Sequence, residues 1–168
     1  MSGYTRTTRD CPVSQLHHEL SQAIRGYFQS HQLGDADTET RLCCETISEK
    51  RDSSRLVSIL EGDDDTTSHL AILMTSDWLI WARSGDKSST IVVGAKLKLI
   101  KVKVFVAKRS KDMQLEISGF TADTKDYVRG NLELGPEPAA QRFCERVAET
   151  ALKENPPTQR KLLRWFGG

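Results

Sequence analysis

The chain has 168 residues, 28% of them charged and 38% hydrophobic, with 24 Lys and Arg against 23 Asp and Glu. A domain of this size buries roughly two thirds of its unfolded surface, so its core requires no metal or disulfide. The composition is polar yet above the disordered range, and a net charge of +1 singles out no polyanionic partner. No stretch approaches a membrane span of about 18 apolar residues. Residues 1–14 lack the apolar core of a signal peptide, so the expected location is cytoplasmic.

Residues 1–13 are polar and basic without periodicity and read as a flexible arm. Ser14, a candidate N-cap, then precedes Leu16, Leu20, Ala23, Ile24, Tyr27 and Phe28 at three-four spacing, with Gly34 as a stop. This predicts a helix within 14–34 that covers the core. From Thr38 the period changes to two. Strands are predicted over Thr38–Ile47 and 55–60, followed by a solvated acidic loop at 61–65.

Two apolar runs, His69–Thr75 and Trp78–Arg83, flank Ser76-Asp77 and predict a hairpin. Both strands are apolar on both faces, so the hairpin should be covered on two sides. Trp78 and Trp81 have opposite parity and should face opposite ways. A short strand follows at 90–93. Lys96 and Lys98 are even, Lys101 and Lys103 odd; this phase slip near Leu99-Ile100 predicts a bulge or a loop-to-strand change. Strands over about 100–108, 113–120 and 128–134 complete the set. Pro136 is expected to open an amphipathic helix that ends at Asn155-Pro156-Pro157. Six or seven strands with no intervening helix imply antiparallel sheets.

The element order, and above all the run Ala71–Trp81 followed by Ile91-Val92-Val93 and Ile100–Val104, resembles the pleckstrin-homology-like superfold, with GRAM and bacterial PH-type domains the nearest in pattern. The resemblance spans residues 38–154 and implies an α+β, mainly β fold: a bent antiparallel barrel of about seven strands with a C-terminal capping helix. The helix within 14–34 is additional, and 155–168 form a flexible tail. The basic arrangement of phosphoinositide-binding PH domains is not matched, because Lys50-Arg51 and Arg55 are diluted by Asp52 and other acidic neighbours. No lipid specificity is carried over.

No motif marks an enzyme: G-x-S-x-G, H-E-x-x-H, Walker-type and G-x-G-x-x-G patterns are all missing. Cys11, Cys43, Cys44 and Cys144 lack the spacing of a zinc site and read as free thiols. His17-His18-Glu19 is a chance match to the start of the zinc-deaminase signature, since no P-C-x-x-C follows. No metal, cofactor or catalytic residue is therefore expected.

Charge is unevenly spread. Residues 35–65 contain ten acidic and four basic side chains, and residues 82–111 nine basic and one acidic. Lys96, Lys98, Lys101, Lys103, Lys108, Arg109 and Lys111 are the candidates for an anion- or partner-binding face, set against the plainer reading of a solvated strand. Nucleic acid is disfavoured because aromatics are not interleaved with these lysines. Arg160, Lys161, Arg164, Trp165 and Phe166 are candidates for a tail that docks on a membrane or partner. The expected function is a non-enzymatic interaction module for a protein or peptide. The alternatives are a peripheral module for anionic lipid head groups, and a small-ligand carrier or unrecognised enzyme with an interior pocket.

Overall fold

The hairpin read at the centre of the sequence also organises the fold. The computed structural model describes residues 3–51, 65–122 and 127–156. Strand β1 (Tyr4–Asp10) precedes helix α1 (His18–Ser30) and the one-turn helix α2 (Ala36–Glu39). Strands β2 (Leu42–Lys50), β3 (Thr67–Met74), β4 (Trp78–Gly85), β5 (Ile91–Lys96), β6 (Ile100–Val106), β7 (Met113–Phe120) and β8 (Tyr127–Leu134) follow, and helix α3 (Pro138–Glu154) comes last. The strands form two antiparallel sheets, ordered β1-β2-β3-β4-β5 and β6-β7-β8. The fold is thus α+β and mainly β, as expected. The barrel is corrected: among the described residues the strands belong to two separate sheets and do not close into one ring.

β3 and β4 pair from Ser68↔Gly85 to Met74↔Leu79. The Thr75 hydroxyl accepts the amides of Asp77 and Trp78 and shapes the turn. Leu70, Ile72, Met74 and Leu79 face the second sheet and α3, where they meet Leu115, Leu134, Phe143 and Val147. Ala71, Leu73, Ile80 and Ala82 face outward under Leu20, Ile24 and Phe28 of α1. Both faces are covered, and Trp78 and Trp81 join opposite clusters. Each fully buried Leu or Ile contributes about 1.5–3 kcal/mol.

Helix α1 buries Leu20, Ile24, Tyr27 and Phe28, as the spacing predicted. Its N-cap is His17 rather than Ser14, which lies in a 3₁₀ turn, Val13–Gln15. Its stop is Gln32 rather than Gly34. Gln32 adopts φ 54°, its N–H bonds the Gln29 carbonyl at 3.3 Å, and the Leu33 N–H bonds the Phe28 carbonyl at 2.9 Å. This is a Schellman ending, with Leu33 folded back on the cluster that holds Phe28.

The strand expected from Thr38 begins only at Leu42. Asp35 accepts the Thr38 N–H at 2.9 Å, which caps the turn of α2. Residues 4–10, expected to belong to a flexible arm, form β1 against β2. The helix expected at Pro136 starts at Pro138, which occupies its first turn. The phase slip has a plain cause: a 3₁₀ turn, Leu97–Leu99, carries the chain from the first sheet into the second. The strand expected at 55–60 and nearly all of the acidic loop lie outside the described residues.

β1 also seals one seam between the sheets. Arg6 bonds Asp112 at 3.0 Å and also pairs with Glu133 of β8. The Thr8 hydroxyl accepts the Gly135 N–H at 2.7 Å, and the Thr8 N–H donates to Glu137 at 3.0 Å. α3 packs on β6, β7, β1 and β2.

Candidate functional site

The seven expected cations are dispersed. Lys96 and Lys98 border a small cleft with Asp77, Trp78 and Glu154, and the Lys96 ammonium stands 5.9 Å from the Trp78 ring centre. Lys101 and Lys103 project from the outer face of β6, opposite Ser118 and Glu116. Lys108, Arg109 and Lys111 lie in and around the turn that joins β6 to β7. Strand rise places about 20 Å between the two ends of the run. Only Lys101 and Lys103 share a face with the outer residues of the second sheet, where Arg129 pairs with Glu116. The tail candidates Arg160, Lys161, Arg164, Trp165 and Phe166 lie outside the described residues.

An apolar concavity lies elsewhere, between the two sheets at the β5 edge. Its volume is about 540 Å³. The first sheet contributes Trp81, Ile91, Val93 and Ala95, the second Ile117, Val128 and Leu132, and no residue of α3 takes part. Three residues with polar side chains, Arg83, Thr121 and Asn131, belong to its lining. Arg83 is exposed and lies opposite Ile91 in the β4–β5 register. Among the described residues that line the cavity, Arg83 is the one with a basic side chain.

Backbone geometry adds a second element. The Ala122 N–H donates to the Gly94 carbonyl at 3.0 Å, so the backbone groups of Gly94 point away from β4. Residues two apart in a strand direct their backbone groups to the same side. The N–H and C=O of Val92 therefore also face outward along the edge. Among the described residues β5 is an edge strand, and its Ile91 is 62% exposed. A Cβ placed on Gly130, at the cavity wall, would meet nothing within 4 Å.

The sequence reading missed Arg83, Gly130 and Val93. Its one available signal was a glycine inside the alternating strand 127–134, which often marks a close approach by something else.

A third cluster is polar. Glu45, 1% exposed, accepts from Arg9 at 2.7 Å and from the His17 N–H at 2.8 Å. His69 Nδ1 lies 3.5 Å from the same carboxylate, and the rings of His17 and His69 stack at 4.2 Å. Burial, followed by the nearby His17, pushes the His69 imidazole below its ordinary value. Arg9 and the N-terminal end of α1 both donate to the Glu45 carboxylate. The cluster thus ties that helix to β1 and β2.

Among the described residues no group of three or more His, Cys, Asp or Glu side chains could hold a metal ion. No helix among them is long and apolar enough to cross a membrane. Comparison with family models, with curated proteins and with solved structures finds no match to this chain.

Proposed function

We propose that this protein is a non-enzymatic, pleckstrin-homology-like interaction module that takes an extended peptide along β5. The carrying observation is the coincidence of an outward-facing backbone at Val92 with the apolar cavity beneath it. Strand addition supplies affinity through main-chain bonds, and pockets for alternate side chains supply specificity. The peptide's apolar side chain enters between Val93, Ile117 and Leu132, and an acidic neighbour meets Arg83.

The strand order supports the superfold reading. The consecutive strands β2–β5 and β6–β8 make a four-stranded and a three-stranded antiparallel set, followed by a helix. β1 and α1 are then additions to that pattern.

Selection of a displayed peptide library on the folded chain tests the proposal. Selected peptides should share an apolar residue beside an acidic one. Their affinity should fall about tenfold or more with Gly130→Leu, which fills the cavity, and with Val92→Pro, which removes the edge donor along with the packing of Val92 under α1, circular dichroism confirming that each variant keeps the fold. Binding that ignores both variants refutes the site. Displacement by a small apolar molecule alone, with no peptide selected, would assign the cavity to a ligand carrier.

A second reading rests on a different face. Lys101 and Lys103 project beside Phe105, 46% exposed, and Leu99, 44% exposed, a pairing of cations with apolar groups suited to an anionic bilayer surface. Flotation with anionic vesicles that is lost in Lys101→Glu/Lys103→Glu would favour it.

A further inference from the structure

The four thiols are free and fall into two places. Cys44 and Cys144 are fully buried in the core between the sheets and α3. Cys11 and Cys43 belong to the opposite face of the first sheet, under α1. The β1–β2 ladder ends at Asp10↔Cys44, and one step further the Cys11 N–H donates to the Cys43 carbonyl at 3.3 Å. The two cysteines are therefore directly opposed across neighbouring strands. Hydrogen-bonded partners of this kind stand about 5.5 Å apart at Cα, inside the range that a disulfide spans.

Both thiols also line a cavity of about 510 Å³ at the end of β1, together with Arg41, Arg142 and Arg146. Asp10 and Asp37 are its acidic members. Arg142 reaches Asp10 at 3.6 Å, and Asp37 pairs with Arg25. The three arginines outnumber the two aspartates among the residues that line this cavity with Cys11 and Cys43.

We propose that Cys11 and Cys43 form a reversible dithiol site that exchanges with a small anionic disulfide, of the class of oxidised glutathione, held by the arginines of this cavity. In the first step the Cys11 thiolate attacks one sulfur of the small disulfide. A mixed disulfide forms, and one anionic thiol leaves. The Cys43 thiol then loses its proton to solvent and displaces the second small thiol, which leaves Cys11–Cys43 joined. Two protein thiols are oxidised and one small disulfide is reduced to two thiols, so electrons and protons balance.

The roles follow from the surroundings. A hydrogen bond from Cys43, aided by the Arg9 charge, lowers Cys11 below the ordinary thiol range. Cys43 moves the other way through that same bond and its burial. The product fastens β1, which seals the seam between the sheets, to β2. None of this depends on peptide binding at β5.

The test equilibrates the full chain with mixtures of reduced and oxidised glutathione, then alkylates free thiols and maps the products by mass spectrometry. A Cys44→Ser background separates the adjacent positions 43 and 44. The expected result is loss of two thiols as one Cys11–Cys43 bridge. Cys43→Ser should instead accumulate one glutathione on Cys11. Arg142→Gln/Arg146→Gln should slow exchange with oxidised glutathione about tenfold and leave exchange with neutral hydroxyethyl disulfide unchanged. Four alkylatable thiols in the parent chain under the most oxidising mixture would overturn the proposal, as would a bridge that includes Cys144. Equal slowing with both disulfides would refute the role of the arginines. Circular dichroism of each variant confirms that the reactivities compared are those of the same fold.

Discussion

The Tyr27 hydroxyl of α1 occupies the space above Gly94 of β5, where an added Cβ would stand 2.4 Å from it. Gly94 is therefore a point of close approach between the helix layer and the sheet. Gly94→Ala should destabilise the protein by about 1–3 kcal/mol through overpacking. Tyr27→Phe, which removes the clashing oxygen, should recover part of that loss. Thermal unfolding of the two single variants and the double variant checks both statements.

The central hairpin should be equally sensitive on its two faces. Leu73 packs under α1 and Leu79 against the second sheet, and neither is exposed. Leu73→Ala and Leu79→Ala should each cost about 2–5 kcal/mol in urea unfolding. A sheet with one wet face would show a cost below about 0.5 kcal/mol for one of them.

The Arg6–Asp112 pair ties β1 to the second sheet with both side chains less than one tenth exposed. Arg6→Met leaves the Asp112 carboxylate buried without that partner and should cost about 3 kcal/mol or more. Adding Asp112→Asn should return much of the loss, since the uncompensated charge is the larger part of it. A double variant no more stable than Arg6→Met would show that the pair contributes by packing alone.

His69 makes stability depend on pH in a defined direction. Its folded-state value lies below the ordinary 6.5, so the unfolded chain binds the proton more tightly. Its contribution is fully present above about pH 6.5 and is lost as pH falls toward the folded value. His17, Glu45 and Glu19 act on the imidazole in this cluster, and Arg9 bonds the Glu45 carboxylate beside it. His69→Gln should flatten the unfolding free energy between pH 6.5 and 5 relative to the parent. An unchanged slope would assign the dependence to another group.

The central hairpin and its turn were readable because every residue from Leu70 to Met74 is buried and two polar residues separate the strands. The phase slip among the lysines was a true sign of the sheet-to-sheet crossing. β1 was opaque because its inward positions are Arg6 and Thr8, which are held by partners more than a hundred residues away rather than by apolar packing. Its polar pattern therefore carries no hydrophobic period. The basic run does not gather on one face for a related reason: proximity in sequence says little about proximity in space across a strand, a tight turn and a change of sheet. The cavity at β5 and the Cys11–Cys43 opposition both arise from pairings between distant segments. The second depends on a strand that was not anticipated.

One practical consequence concerns trimming. Residues 4–10 resemble the kind of polar leader that is removed when a protein is prepared for study. Deleting them would strip the border strand from its neighbour, open a line of unpaired amides along β2, and release the bridge that Arg6 makes to the far layer. A shortened version is thus expected to stick to itself, and its behaviour would describe the damage rather than the native molecule.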